Sequence, residues 1–377
     1  MIYFQKIILF LILFFPSPLF AKDWNPNLLE ASRLAYAAET AQALPLINAY
    51  IAQNPEDPNG LFVKAVVLDW KATLDWEGRN SQKEILEIYK QANDLAFHLW
   101  DSDPENVDKL INLGNSYLFL GRKYSDLGKN LDAVLTGKKC QKYLEKAIKL
   151  DPSRKDALLA LGGFHYLADQ IPPWLKSFRG LLGIKGDKDL GLTELKYSLD
   201  PQLPFYYDSL YALVNVYSDF EKQYETALQY LTQMEKIFPN NPELKFYRAN
   251  ISEKKDKTEG LSGFLKLGTW CEKNPNHCHP EYSFLGYYHA GRISQDLSLN
   301  DQAQKYFAKS LEFNPLFHNL QKAEASYWSA NIDFYSQKYT EALQKIRQAL
   351  QVQGLPKKNK QEMEDRLTSI CQKISCY

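Results

Sequence analysis

The 377-residue sequence lacks an excess of either charge, with 45 Lys and Arg against 45 Asp and Glu. Nucleic acid and anionic membrane surfaces both select a basic excess. Nucleic acid is therefore not an expected partner, and overall charge gives no reason to expect membrane contact. A local basic patch stays open. No stretch alternates apolar and polar residues for long enough to form a strand, so the chain reads as all-α. Beyond the N-terminus there is no second long apolar run, so no membrane-spanning helix is expected. Catalytic patterns are missing too. His98, His165, His277, His279, His289 and His318 are scattered without a nucleophile or acid at a supporting spacing. Gly162-Gly163 and Gly183-x-x-Gly186 follow helical segments rather than strands, which argues against a phosphate loop. Acidic pairs such as Glu362 and Asp365 suit a solvated helix face. No catalytic residue, enzyme activity, cofactor or metal is assigned.

Cysteine is sparse, at five residues. None lies near the N-terminal run, which argues against a bacterial lipoprotein anchor. Cys271 with Cys278, and Cys371 with Cys376, lie close enough in sequence for two local disulfides, leaving Cys140 as a small buried residue. Zinc would accept Cys271, His277, Cys278 and His279 as ligands, but their spacing matches no zinc motif, so the loop disulfide is the expectation.

What the chain does have begins with a secretion signal. Lys6 precedes the apolar run Ile7 to Phe15; Pro16, Ser17 and Pro18 break it, and cleavage is expected after Ala21. Cleavage removes Lys6 and no acid, leaving one more acidic than basic residue. The expected location is periplasmic or secreted.

A repeat then fills the chain. Prolines close helix-like segments at Pro55, Pro104, Pro152, Pro201, Pro239, Pro275 and Pro315. Twelve residues before each stand Ala43, Ala92, Cys140, Asp189, Ala227, Gly263 and Ala303, small in every case but one. Leu110, Leu113, Gly114 and Tyr117 fit the first-helix pattern W-x2-L-G-x2-Y except for its Trp. A small residue lets two helices cross closely, and proline ends the second. This arithmetic resembles the tetratricopeptide repeat (TPR) superfamily over most of residues 25–355. The resemblance implies a right-handed α-solenoid of about eight TPR-like helix pairs. It divides the chain into a signal peptide at 1–21, N-terminal repeats at 22–160, an interrupted repeat at 161–203, C-terminal repeats at 204–356 and a capping helix at 357–377. The cap has a polar outer face.

The interruption reads GGFHYLADQIPPWLKSFRGLLGIKGDKDLGLTELKYSLDP from Gly162 to Pro201. Pro172-Pro173 starts an inserted amphipathic helix, with Trp174, Leu175, Phe178, Leu181 and Leu182 on one side. Asp187 caps the helix that follows. Asp189 stands where the small residue belongs, so this pair is expected to pack differently. Gly162-Gly163-Phe164, Ile171-Pro172-Pro173, Gly183 to Asp187 and Gly191-Leu192 resemble the tetratricopeptide protein 39 and inclusion-clearance family. That eukaryotic family includes a yeast protein implicated in inclusion clearance and lipid-droplet association. The resemblance covers about a quarter of the chain and implies shared fold detail. The secretion signal sets the chain apart from that intracellular family, so its cellular role is not carried over.

In TPR proteins the exposed positions of the first helices line a groove that grips peptides or helices. In register with the consensus, Asn115, Tyr288, Arg292, Glu324, Tyr327 and Asn331 point there. The expected function is a non-catalytic scaffold or chaperone-like protein binding another envelope protein or peptide. The alternative is a periplasmic small-molecule-binding helical protein associated with a solute transporter.

Overall fold

The structure, a computed structural model, describes residues 24–76, 81–170, 186–313 and 315–374. Seventeen α-helices and no strand occur among them. They follow one another as eight pairs: α1 (Pro26–Tyr36) with α2 (Thr40–Gln53), α3 (Pro58–Leu74) with α4 (Gln82–Asp101), α5 (Val107–Asp126) with α6 (Asn130–Leu150), α7 (Leu158–Asp169) with α8 (Lys188–Tyr197), α9 (Tyr206–Asn215) with α10 (Tyr224–Ile237), α11 (Pro242–Lys255) with α12 (Lys257–Lys273), α13 (Pro280–Asp296) with α14 (Asn300–Leu311), and α15 (Asn319–Tyr335) with α16 (Tyr339–Leu350). A last helix, α17 (Lys357–Ile374), completes the series. Helices pack chiefly on their neighbours in sequence, the contact pattern of an all-α solenoid. The signal peptide and the helix expected from Pro173 to Leu182 lie outside the described residues.

Local chemistry starts and stops these helices. Asn106, Asp187, Asn241 and Asp256 cap α5, α8, α11 and α12, each accepting from a backbone N–H of the first turn. Pro242 and Pro280 occupy first turns, where no N–H is needed. The turn inside the pair recurs. In five pairs the second helix begins two residues after a left-handed residue: Ala38 (φ 65°), Gly128 (70°), Lys222 (56°), Ser298 (60°) and Gln337 (61°). In four of these the next N–H reaches back five residues, from Glu39 to Leu34, Lys129 to Tyr124, Leu299 to Ser294 and Lys338 to Asp333. That bond closes a Schellman motif and satisfies a carbonyl at the helix end. In the fifth pair it runs from Gln223 to Tyr217, one residue longer, because a π-turn over Val216–Phe220 adds a residue.

The small residues of the repeat sit where helices cross. Ala43, Ala92, Cys140, Ala227 and Ala303 are all buried, and a Cβ on Gly263 would lie 3.0 Å from Ala249 Cα. Asp189 is exposed. The fourth pair nevertheless keeps a close crossing, through Gly162 and Gly191. A Cβ on Gly162 would stand 2.8 Å from Gly191 O, and one on Gly191 would stand 2.7 Å from Gly162 O. The expectation that this pair lacks its small residue is thus corrected. Asp187 starts α8 late, and the small residue moves two positions along, to Gly191.

The chain forms two compact units. One contains described residues 24–31, 45–65 and 86–209, the other 32–44, 66–85 and 210–374. In the first, Phe62 packs edge-on against Phe119 at 4.3 Å and Phe205 at 5.8 Å. A second cluster gathers Leu110, Leu113, Cys140, Leu144, Ala147 and Leu161. Burial there pushes the Cys140 thiol up to about 12, so it is a packing residue rather than a nucleophile.

This unit also carries a pH-sensitive pair. A 2.6 Å hydrogen bond joins His165 Nδ1 on α7 to Glu194 on α8, and Glu145 stands 3.8 Å from Nε2. The bond to Glu194 raises the imidazole pKa above 6.5, outweighing burial, which lowers it. A pKa raised by folding adds stability that is complete below the unfolded value and lost as pH climbs through the folded value. The melting temperature is expected to fall as pH climbs above about 6.5 and through the raised folded value, and His165→Gln to flatten that part of the profile. An unchanged profile in the variant would disprove the assignment.

Candidate functional site

In the second unit α11, α13 and α15 are first helices of consecutive pairs. α13 touches both α11 and α15, so corresponding side chains form a row across three helices. Its floor is aromatic. His289 lies flat on Phe264 with centroids 4.6 Å apart, and Phe246 stands 5.9 Å from His289 and 6.2 Å from Tyr282. A polar belt crosses it. Arg292 of α13 donates to Glu253 of α11, and Tyr288 Oη donates to Glu324 of α15 at 2.8 Å. Nearer the helix N-termini, Tyr282 Oη donates to Glu243 at 2.8 Å.

The chain fills one end of this row itself. Trp76 stands edge-on to Tyr282 at 5.5 Å and to His318 at 4.5 Å. Tyr282 Oη also lies 3.3 Å from the Thr73 carbonyl oxygen. Trp70 packs against Tyr36 at 4.8 Å, and Asn241 Nδ2 donates to the Tyr36 carbonyl at 2.8 Å. Trp76 holds a left-handed backbone (φ 57°), which costs a non-glycine residue about 1–2 kcal/mol and persists only where packing outweighs it.

Burial sets the electrostatics. It raises the Glu243 carboxyl above the usual range despite the bond from Tyr282, and raises the Tyr282 and Tyr288 hydroxyls. It drives the His289 imidazole down to about 3, helped by nearby Arg292, so this ring is neutral near pH 7. His289 Nδ1 and Asn331 Oδ1 are buried without a protein hydrogen-bond partner. These groups suit recognition of a polar ligand by hydrogen bonds. Among the described residues no group of three or more His, Cys, Asp and Glu side chains is placed to hold a metal.

Of the residues expected in the groove, Tyr288, Arg292 and Glu324 come together in the belt, with Arg292 and Glu324 half-buried and Tyr288 buried. Asn331 is buried on α15, and Tyr327 packs beside Trp328 at 5.2 Å. Asn115 belongs to the other unit, where it is 6% exposed and donates to the Asp156 carbonyl at 3.2 Å. Sequence register did not bring out His289, Glu243 or Trp76. The run Tyr287-Tyr288-His289 was the available signal for the first; nothing local marks the other two. Cys271 and Cys278 form the expected disulfide. Cys371 is also disulfide-bonded, while Cys376 lies outside the described residues. His279 caps α13 by accepting from the Glu281 N–H at 3.3 Å.

Fold and row together define an all-α solenoid built of consecutive helix pairs. No protein-family model and no curated protein matches the chain. Among solved structures it is similar to the C-terminal part of a TPR repeat-containing protein from Cytophaga hutchinsonii, at 14% identity over 76% of this chain and 98% of that one, with a TM-score of 0.49. It is similar to a chain of the APC/C hetero-tetramer Cut9–Hcn1 at 14% identity and a TM-score of 0.45, covering 91% of this chain. This chain spans 55% of the length of that one. Yeast Tom70 is similar at 11% identity over 92% of this chain and 82% of that one, with a TM-score of 0.38.

Proposed function

We propose that the chain is a non-catalytic TPR-type scaffold or chaperone-like protein of the cell envelope, gripping another protein or peptide on the row formed by α11, α13 and α15. The observation that carries this reading is the belt Glu253–Arg292 and Tyr288–Glu324 over an aromatic floor. Arg and Tyr over a desolvated apolar base are the side chains that dominate protein interfaces. The buried Asn331 carbonyl oxygen adds an acceptor for a partner's N–H. Envelope residence rests on the N-terminal signal from Lys6 to Ala21. The stretch from Gly162 to Pro201 is read as sharing fold detail with the tetratricopeptide protein 39 and inclusion-clearance family, without its cellular role.

The test is affinity capture from the native envelope, comparing the wild-type chain with one carrying Arg292→Ala and Asn331→Ala. A partner held by the wild type is expected to be lost or captured at least about tenfold less, as for truncation of a central interface residue. An identical set of captured proteins would defeat the reading.

A further inference from the structure

Helix α6 presents a face that the proposed groove leaves unused. Thr136, Cys140, Tyr143, Leu144 and Ala147 turn inward and are buried. Along the opposite side, at helical spacing, run Leu131, Val134 and Leu135, then Lys138, Lys139, Lys142, Lys146 and Lys149. The apolar three are 68%, 37% and 42% exposed. Four of the lysines are exposed, and Lys146 is held by Glu105 at 2.5 Å and by the Pro104 carbonyl at 2.9 Å. Two acids share the helix surface: Asp132, exposed in the first turn on the side of Lys139, and Glu145, which is engaged by Gln141 at 2.7 Å and lies 3.8 Å from His165. The Lys139 and Lys142 Nζ atoms lie over the Tyr117 and Tyr143 rings at 5.3 and 5.2 Å, contacts worth about 0.5–1 kcal/mol at exposed sites, which attraction to lipid phosphate has to exceed. A chain with no net charge therefore gathers a local excess of positive charge beside three exposed aliphatic side chains.

We infer that this face of α6 docks peripherally on an anionic lipid bilayer, with Leu131, Val134 and Leu135 entering the headgroup–acyl boundary and Lys138, Lys139, Lys142 and Lys149 lying against lipid phosphates. The residue types select a bilayer over a protein partner. Protein interfaces are depleted in Lys and take their strength from Trp, Tyr and Arg, and none of those three is exposed on this face. Aliphatic residues flanked by Lys are what an interfacial helix uses, because apolar burial and attraction to anionic lipid add. The charge on α6 is complementary to such a surface, and from Leu131 to Lys149 it extends about 27 Å, many headgroups wide.

The test is sedimentation of the chain, purified after export, with vesicles of phosphatidylcholine alone and of phosphatidylcholine mixed equally with phosphatidylglycerol. Binding to the anionic vesicles only is expected, weakening as salt rises. The triple variant Lys138→Ala, Lys139→Ala, Lys142→Ala is expected to partition about 100-fold less, at roughly fivefold per lysine near the surface. Leu131→Ser with Leu135→Ser is expected to weaken binding at unchanged charge. All five side chains are exposed, and loss of the two lysine–ring contacts costs about 0.5–1 kcal/mol each, so both variants should fold, which their melts check. Absence of binding to anionic vesicles, binding that both variants retain, or equal binding to both vesicle types would overturn the inference. Capture of a protein partner through Arg292 is read separately and does not bear on it.

Discussion

Glu281→Ala is expected to destabilise the second compact unit by about 3 kcal/mol, the lower end of what breaking a buried charged network costs. Glu281 is 2% exposed, yet its carboxylate is fully used. It accepts from the Leu316 N–H at 2.5 Å and the Phe317 N–H at 2.9 Å, and pairs with His318 Nδ1 at 2.5 Å. One side chain in the first turn of α13 thereby ties down the segment that leads into α15. A negative charge also suits a helix N-terminus. Truncation leaves two backbone N–H groups and a buried imidazole without their acceptor, and unmet buried donors cost about 1–3 kcal/mol each. Burial works to raise this carboxyl's pKa, but the bonds from His318, Phe317 and Leu316 outweigh it and hold the pKa below 4.5. A depressed carboxyl contributes stability above its unfolded value and loses it as pH falls through the folded one. The deficit of the variant should therefore be full near pH 7 and shrink in acid. Urea unfolding followed by hydrogen exchange of α13 and α15 amides would measure it. A loss below about 1 kcal/mol would show that water replaces the carboxylate.

The second large effect separates two glycines of the fourth helix pair. Gly191→Ala is expected to destabilise the first unit by about 2 kcal/mol or more, whereas Gly163→Ala is expected to stabilise it by up to about 1 kcal/mol. Both replace glycine in a helix by the best helix former, which alone favours folding. At Gly191 the added Cβ would meet Tyr166 N at 2.5 Å and Gly162 O at 2.7 Å. These are backbone atoms of the facing helix and cannot swing aside, so overpacking wins over propensity. At Gly163 nothing lies within 4 Å of the added carbon, and propensity acts alone. Thermal melts of both variants against the wild type decide the matter. A Gly191→Ala variant as stable as the wild type would mean that α7 and α8 do not cross at Gly191.

Much of the architecture was legible from local rules. Pro55, Pro104, Pro152, Pro201, Pro239, Pro275 and Pro315 each follow the end of a second helix, although Pro45 sits within α2, and Asn106, Asp187, Asn241 and Asp256 cap the helices that follow them. Spacing from those stops located the small residues, and with them the eight pairs. Where one signal failed, at Asp189, the chain had met the same steric need two residues later with Gly191. The candidate site was half legible. Register with the repeat picked out Tyr288, Arg292 and Glu324, because position on a first helix follows from periodicity. It did not show that Glu253 and Glu324 hold Arg292 and Tyr288, since those partners lie 39 and 36 residues away.

The sequence by itself determined the helices, their pairing and, outside the fourth pair, the positions where they cross, because each depends on sterics and hydrogen bonds within a few residues. Tertiary structure decided the rest. Of the five recurrent left-handed turn residues only Gly128 is a glycine. Ala38, Lys222, Ser298 and Gln337 accept that backbone because the packing of two helices outweighs a local cost of about 1–2 kcal/mol. No local rule reports that outcome. Trp76, in the same unfavourable conformation, reaches Tyr282 and His318 more than two hundred residues further along the chain. Only burial in the folded unit makes that arrangement favourable, so only the fold reveals how much of the row the chain keeps for itself.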